Sequence, residues 1–230
     1  MKRYLIVFVM LLAFFQTAYG QDDRVDRLGF GVGPSKIYGD NTGRHRAFKF
    51  RVLPSISLDY NKKIDTHFDA KLTIGWQMIS SGDFYPEPAK NNISLAGVPY
   101  GFDGNVIFAD LMPIYYFNPD QSGYLPSMFK VYGGLGLGVF HSARTDRIRV
   151  FQDEDRFTTN TYRDSNTNLY VPIRIGVFKS LKNEKSEIGL EGTLLLSPFG
   201  ELEGNNVRRK SLPADMLMQL QVFYRINIGE

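Results

Sequence analysis

The segment KVYGGLGLGVF, residues 130–140, combines four glycines with a preceding lysine, a composition that phosphate-binding loops share. A dinucleotide-binding loop needs G-x-G-x-x-G between a strand and a helix, and a P-loop needs G-x-x-x-x-G-K-[ST]. Here Gly134, Gly136 and Gly138 recur at every second position, and no helical pattern follows them. A period of two is that of a β-strand, whose alternate residues share one face. The glycines therefore indicate a strand rather than a nucleotide site.

The three histidines are the next candidates for chemistry, because a serine nucleophile needs a base within hydrogen-bond reach. His141 and Ser142 are adjacent, so the alternation of a strand directs them to opposite faces. His45 with Asp40 and a distant serine remains an alternative to a solvated loop histidine, and His67 lies at the base of a predicted strand. We expect no catalytic residues and no enzyme.

Metal ligands are also poorly represented. Asp164, Asn166 and Asn168 begin like an EF-hand loop, but Leu169 occupies the position that requires glycine. The acidic run at 153–155 is interpreted as a solvated loop. The sequence therefore predicts neither a metal site nor a cofactor.

The first twenty residues have the pattern of a cleaved signal peptide. Lys2 and Arg3 precede an apolar run of twelve residues, and the small-x-small triplet Ala18-Tyr19-Gly20 follows. That run is shorter than the roughly 20 residues that a membrane-spanning helix needs. We therefore predict a signal peptide at 1–20 and one barrel domain at 21–230. Export through this signal predicts the outer membrane of a Gram-negative bacterium.

Composition limits the partners. Without residues 1–20 the chain has 25 basic and 24 acidic residues, so no charge excess favours nucleic acid. The chain has no cysteine, which excludes a disulfide framework. Aromatic residues make up 14% of the sequence, and no long amphipathic helix is evident. These features favour a β protein.

Alternation of apolar and polar residues dominates the rest of the chain. In the last predicted strand, apolar residues occupy the even positions from Met216 to Ile228, and polar residues dominate the odd ones. Seven further segments resemble it more or less closely. The eight predicted strands are 27–38, 46–60, 66–80, 103–117, 128–141, 168–180, 186–198 and 215–228.

The connections between these strands alternate in length. Long predicted loops at 81–102, 142–167 and 199–214 alternate with turns at 61–65, 118–127 and 181–185. Short periplasmic turns and longer outer loops are typical of an outer-membrane barrel. The predicted fold class is all-β, a closed antiparallel eight-stranded transmembrane barrel. A soluble lipocalin-like barrel has the same period with its apolar face inward, and period alone leaves that alternative open.

The polar face carries charged residues at mid-strand, and a barrel of eight strands has an interior that side chains just fill. Buried charges have to be paired. We therefore predict an interior charge network with at least two acid–base pairs, and we expect the glycine face at 134–138 to leave room for its long cations. The predicted members are Lys71, Asp110, Lys130, Arg174, Glu191 and Arg225.

Three prolines conflict with regular strands. Pro54, Pro113 and Pro172 lie within predicted strands, where each removes a ladder hydrogen bond. Since a closed barrel has no edge, each has to lie at a bulge or at a locally broken pairing. The sequence offers no physical reason for their recurrence.

Several segments resemble a known family. These are GFGVGPSKIYGD at the start, the YNKK turn, IGWQMISSGD at the end of the third strand, and KVYGGLGLGVF. They look like the small outer-membrane barrels of Bacteroidetes, the family that includes the type IX secretion component PorG. The resemblance implies a barrel that binds outer-membrane lipid and proteins of a secretion complex in the periplasm or outer membrane.

The function predicted on these grounds is structural or partner-binding, through contacts at the ends of the barrel. The alternatives are a housekeeping barrel of the OmpA/OmpX kind or a narrow channel, and third a lipid-modifying enzyme at the rim. Pro119, Tyr124 and Pro126 give the turn at 118–127 a firm, partly apolar surface, so this turn is a candidate docking site for a periplasmic partner. A turn that only closes the hairpin is the alternative.

Overall fold

The computed structural model describes residues 25–39, 42, 45–119, 128–153, 156–181, 185–198, 202 and 214–228. These residues form nine strand segments and one α-helix. The segments are β1 (Asp26–Tyr38), β2 (Leu53–Lys63), β3 (Phe68–Ser80), β4 (Gly101–Tyr116), β5 (Lys130–Leu135), β6 (Leu137–Asp153), β7 (Arg156–Ser180), β8 (Ser186–Ser197) and β9 (Asp215–Ile228), and the helix is α1 (Glu87–Leu95). The predicted signal peptide at 1–20 lies outside the described residues. No helix among the described residues is long and apolar enough to cross a membrane.

The strands close into one antiparallel ring. Strands that follow each other in sequence pair, except β5 and β6, which lie end to end between β4 and β7. β1 pairs with β9 and closes the ring. Counted around the ring, the nine segments are eight strands, as predicted. We call the end with the connections β1–β2, β3–β4, β6–β7 and β8–β9 the outer end, and the opposite end the inner end.

The apolar face of the ring points outward. Leu135, Leu137 and Val139 are exposed, and so are Val222 and Ile226, while the half-buried Met218 lies on the same face. Inward positions of the same strands are buried and mostly polar or aromatic. This orientation excludes the lipocalin-like alternative, in which the apolar face would fill the interior.

The break between β5 and β6 explains two of the prolines. Pro113 of β4 and Pro172 of β7 lie on either side of the 135–136 step. Gly136 donates its N–H to the Pro172 carbonyl at 3.1 Å, and proline has no N–H to return. Pro54 pairs with Pro34 next to the outer end of the β1–β2 ladder. Pro113 and Pro172 thus lie at a locally broken pairing, whereas the ladder continues past Pro54 to Leu53, and none of the three changes the register.

Three of the predicted strand boundaries are wrong. Predicted strand 46–60 begins only at Leu53, because His45–Ala47 form a 3-10 turn and Phe48 has a positive φ of 53°. The predicted loop 142–167 is instead a continuation of β6 and β7, paired from Ser142–Asn166 to Asp153–Arg156. The buried inward positions of its β6 part are polar (Ser142, Arg144 and Asp146), so the apolar alternation disappears while the backbone pairing continues.

Two clusters of buried apolar residues fill the interior at different levels. The outer cluster includes Leu202, which the β8–β9 connection inserts into the mouth of the barrel. Its other members are Ile37, Ile79, Phe102, Val106, Phe108, Phe140, Tyr170, Leu195 and Leu217. The inner cluster comprises Met112, Ile114, Tyr116, Tyr132, Phe178 and Phe223. The interior is therefore packed rather than water-filled at these levels.

Candidate functional site

Glu191 of β8 is the centre of a buried charge cluster. Its carboxylate pairs with the Lys71 ammonium, accepts a hydrogen bond from the Tyr132 hydroxyl, and lies 3.3 Å from Arg225 Nη2. Arg174 Nε lies 3.4 Å from the other carboxylate oxygen. One acid from one strand thus contacts three cations from three others.

Asp110 forms the second acidic position of the cluster. It accepts two hydrogen bonds from Arg174, at 2.5 and 2.7 Å, and one from the Tyr170 hydroxyl at 2.6 Å. Arg174 also donates to Thr73 Oγ1 at 2.9 Å. Charge-assisted, bidentate contacts of this kind are the strongest that side chains make.

Asp59 is the third acid, and the sequence interpretation missed it. Arg225 Nε lies 2.9 Å from Asp59 Oδ1, Lys71 Nζ lies 3.6 Å from the same oxygen, and Asn61 donates to it at 2.5 Å. Arg225 also donates to the Tyr132 hydroxyl at 2.8 Å. With Asp59, Asp110 and Glu191 against Lys71, Arg174 and Arg225, the cluster has equal numbers of each charge.

A second cluster lies nearer the inner end. Arg27 of β1 pairs with Asp69 and with Glu187, the latter at 3.0 Å, and Tyr116 donates to Asp69 at 2.8 Å. Lys130, predicted for the interior network, lies elsewhere: it is half-buried at the start of β5, with its ammonium 5.9 Å from the centre of the Phe178 ring. Alternation along a strand predicts whether a side chain faces inward, but it does not predict the position of that side chain along the barrel axis.

The glycines of β5 and β6 have a different role from the one expected. A Cβ at Gly138 would overlap the Tyr170 ring, and one at Gly134 or Gly136 would press on Met112 and on β4 carbonyl oxygens. The space is therefore occupied by an aromatic ring, a methionine and closely approaching backbone. The expectation that long cations fill it is wrong.

The outer end carries an extended hairpin, which we call the outer hairpin (142–153 and 156–169). Helix α1 covers its β6 side: Arg149 donates its backbone N–H to Ser94 Oγ at 3.0 Å and a guanidinium N–H to Asn91 at 2.7 Å. Arg149 and Lys90 also pair with Glu87. Hydrogen bonds from Arg149 and Lys90 lower the pKa of Glu87, and a hydrogen bond from Lys90 lowers that of Asp83.

The β7 side of the outer hairpin is different. β7 pairs with β8 from Val171 to the inner end of the barrel. Between Val171 and the outer end, no described strand pairs with this side of β7. The Pro172 carbonyl accepts the N–H of Gly136, so backbone groups of even-numbered residues in β7 point towards β5 and β6. Because the direction alternates along a strand, the N–H and C=O groups of odd-numbered residues point to the opposite side. Asp164 caps one of them by accepting the Ser165 N–H at 2.8 Å. On this side, no described strand pairs with the other odd positions from 159 to 169, which we call the uncovered β7 edge.

The histidines do not form a catalytic group in the described part of the chain. His141 faces outward and bonds to Thr167 at 2.8 Å, whereas Ser142 is buried on the inner face. His45 contacts Thr42, and Asp40 lies outside the described residues. The described residues also contain no group of three or more His, Cys, Asp or Glu that could hold a metal.

The candidate docking turn is described only at its ends. Pro119 is half-buried, and Tyr124 and Pro126 lie outside the described residues. Asn118 joins the two ends, since it donates to the Phe129 carbonyl and accepts from the Val131 N–H, both at 2.7 Å. This side chain fixes the base of the turn.

No family model matches the chain, and no curated protein does. Solved structures with a similar fold are small outer-membrane barrels. Neisserial surface protein A is 10% identical with a TM-score of 0.52, over 88% of this chain and 97% of that one. The likeness is one of fold. Ail of Yersinia pestis is 9% identical (TM-score 0.46; 89% and 99% covered), and OprG of Pseudomonas aeruginosa is 11% identical (TM-score 0.44; 89% and 97% covered).

Proposed function

We propose that this chain is an outer-membrane barrel without an open channel that acts by binding a protein partner, and that the outer hairpin is the binding surface. The observation that carries the proposal is the uncovered β7 edge. Unpaired strand edges accept an additional strand from a partner, with backbone hydrogen bonds as the main source of affinity. Helix α1 covers the opposite side of the same hairpin, so the partner is directed to β7.

Side-chain chemistry of the edge supports a protein partner in water rather than lipid. The odd positions of β7 in the outer hairpin are polar except at the two ends, where they are apolar: Phe157, Thr159, Thr161, Arg163, Ser165, Thr167 and Leu169. Threonine favours extended backbone, and the lack of an apolar stripe keeps this surface out of the membrane. We therefore expect an extended peptide segment as the bound element.

The interior supports a function at the ends of the barrel rather than through it. An eight-stranded barrel leaves room for side chains only, and the charge cluster and two apolar clusters occupy that room. A narrow channel is therefore the less favoured alternative. An enzyme at the rim lacks a converging nucleophile and base among the described side chains.

The test removes edge N–H groups without touching the β6–β7 ladder. In Thr159→Pro/Thr161→Pro the prolines lie at positions whose N–H points away from β6, and proline is tolerated on such edges. The matched control Thr159→Ala/Thr161→Ala removes the same side chains and keeps both N–H groups. Partners co-purified from native membranes should be lost with the proline variant and retained with the alanine variant. Equal recovery with both variants would contradict the edge as the binding surface.

A finer proposal follows from the resemblance to PorG. A secretion role would place a second contact in the periplasm, at the turn closed by Asn118. Exposed apolar side chains flank this turn, namely Phe117, Met128 and Phe129. Replacing residues 119–126 with a short Gly-Ser turn should leave the barrel folded and abolish association with a secretion complex. If the replaced protein still co-purified with every native partner, a docking role for the turn would be wrong.

A further inference from the structure

The connection between β1 and β2 contains a basic and aromatic segment that follows a single acidic residue, Asp40, which lies outside the described residues. No Asp or Glu occurs from 41 to 58, whereas Arg and Lys occupy 44, 46, 49 and 51. The segment Phe48–Arg51 alternates aromatic and cationic side chains, and among the described residues neither Lys49 nor Arg51 forms an ion pair. Within the described part of the chain, Lys49 and Arg51 thus present positive charge without an acidic partner.

The Phe50 ring is held by neighbouring side chains, whereas the Phe48 ring is exposed to solvent. The Phe50 ring stacks on His45 at 5.5 Å between centroids, and Lys36 Nζ lies 4.6 Å from its centre. Phe48 has a φ of 53° and is 85% exposed. A bulky residue at positive φ is strained, and such strain persists where the surroundings or the function require it. The fold holds an aromatic ring in solvent at a conformational cost.

The segment lies at the boundary of the apolar surface. On β1 the outward positions change from Leu28, Phe30 and Val32, which are exposed and apolar, to Lys36 near the outer end. On the β2 side the outward apolar row ends at Val52, just before β2 begins and directly next to Arg51. Aromatic side chains and lysines or arginines at this level lie among lipid headgroups in membrane barrels.

We propose that Lys36 and Phe48–Arg51 bind the phosphorylated headgroup of a lipid in the membrane layer at the outer end. The cations Lys36, Lys49 and Arg51 contact the phosphate, and Phe48 inserts between the acyl chains and the headgroup. This site is separate from the uncovered β7 edge and does not depend on a protein partner.

Binding can be measured on the full chain refolded in uncharged detergent micelles, with native mass spectrometry to count bound lipid. The probes are bis-phosphorylated lipid A and the same lipid with its phosphates removed. The first should bind and the second should not. Since each cation near an anionic surface contributes about a five-fold gain in affinity, Lys49→Ala/Arg51→Ala should weaken binding roughly 30-fold.

Two control variants keep the test specific. Lys62→Ala/Lys179→Ala removes two exposed cations from the inner end and should bind like the wild type. Phe48→Gly relieves the positive φ, so it should fold normally yet bind several-fold more weakly. Equal binding of the two lipids, an equal loss in the inner-end control, or displacement of the lipid by inorganic phosphate would each overturn the proposal.

Discussion

Arg174 and Asp110 join β7 to β4 across the interior, through hydrogen bonds of 2.5 and 2.7 Å between non-adjacent strands. Both side chains are almost fully buried. A buried pair of this geometry closes the lumen at its level. It also makes each partner dependent on the other, because either alone is an uncompensated buried charge.

That dependence predicts strong coupling. Arg174→Met and Asp110→Leu should each lower the free energy of unfolding by about 3–5 kcal/mol, and the double variant should cost about 2 kcal/mol less than their sum. Unfolding in urea can be followed by the fluorescence of the single tryptophan, Trp76. Arg174→Met with Asp69→Leu, whose carboxylate pairs with Arg27 instead, should be additive. Additivity of the Arg174–Asp110 pair would contradict the direct contact.

Glu191 is expected to be the most sensitive acid of the interior, because it contacts three cations. Glu191→Ala and Glu191→Gln should both lower the free energy of unfolding by about 3–5 kcal/mol, since each strands positive charge. Thr193→Ala truncates the neighbouring side chain on the lumen-facing side of β8 and should lower the free energy of unfolding by less than about 1.5 kcal/mol. Unchanged heat-modifiability of Glu191→Ala on gels would count against the charge cluster.

Gly176 and Gly192 should respond differently to the same substitution. A Cβ at Gly176 would overlap the Tyr132 ring, whereas the nearest atom to a Cβ at Gly192 is 3.8 Å away. Gly176→Ala should therefore cost about 1–3 kcal/mol through overpacking, and Gly192→Ala should be tolerated. The urea midpoints of the two variants decide this, and equal midpoints would show that Tyr132 has room to move.

Docking of α1 should depend on pH in the acid range. The pKa values of Glu87 and Asp83 are lowered by hydrogen bonds from Arg149 and Lys90, so their contribution is present above the ordinary carboxyl values and is lost as the pH falls through the lowered ones. Protection against hydrogen exchange at residues 87–95, relative to the intrinsic rate at each pH, should be high at pH 7 and fall below about pH 4. An equal fall in protection in Arg149→Ala and wild type would argue against this cause.

The sequence predicted the barrel well and its ends poorly. The even positions of β9 alternate so regularly that the outward face was predicted residue by residue. At the outer hairpin the buried inward positions Ser142, Arg144 and Asp146 are polar, so the apolar pattern that identifies strands was missing although the backbone pairs. Helix α1 was missed because it is short and is held by contacts such as Arg149 to Asn91 rather than by an apolar stripe.

For the interior, the sequence predicts which side chains face inward but not which of them contact each other. Lys71, Asp110, Arg174, Glu191 and Arg225 lie together, and alternation placed each of them on the inward face. Which acid meets which cation depends on strand tilt and register, and neither is encoded in the period of two. For the same reason the partner Asp59 was missed and Lys130 was placed at the wrong level. The basic segment at 44–51 was also missed, although an acid-free run with interspersed phenylalanines is the signal that could have revealed it.

Ion conductance tests the closed lumen most directly. The refolded barrel in a planar bilayer with 1 M KCl should show no steady current above that of the lipid alone. Phe102→Ala/Phe140→Ala, which removes two rings from the outer cluster, should fold and raise the current at most to brief openings, because the charge cluster still fills the centre. A stable, ohmic current from the wild-type protein would contradict the account and favour a channel.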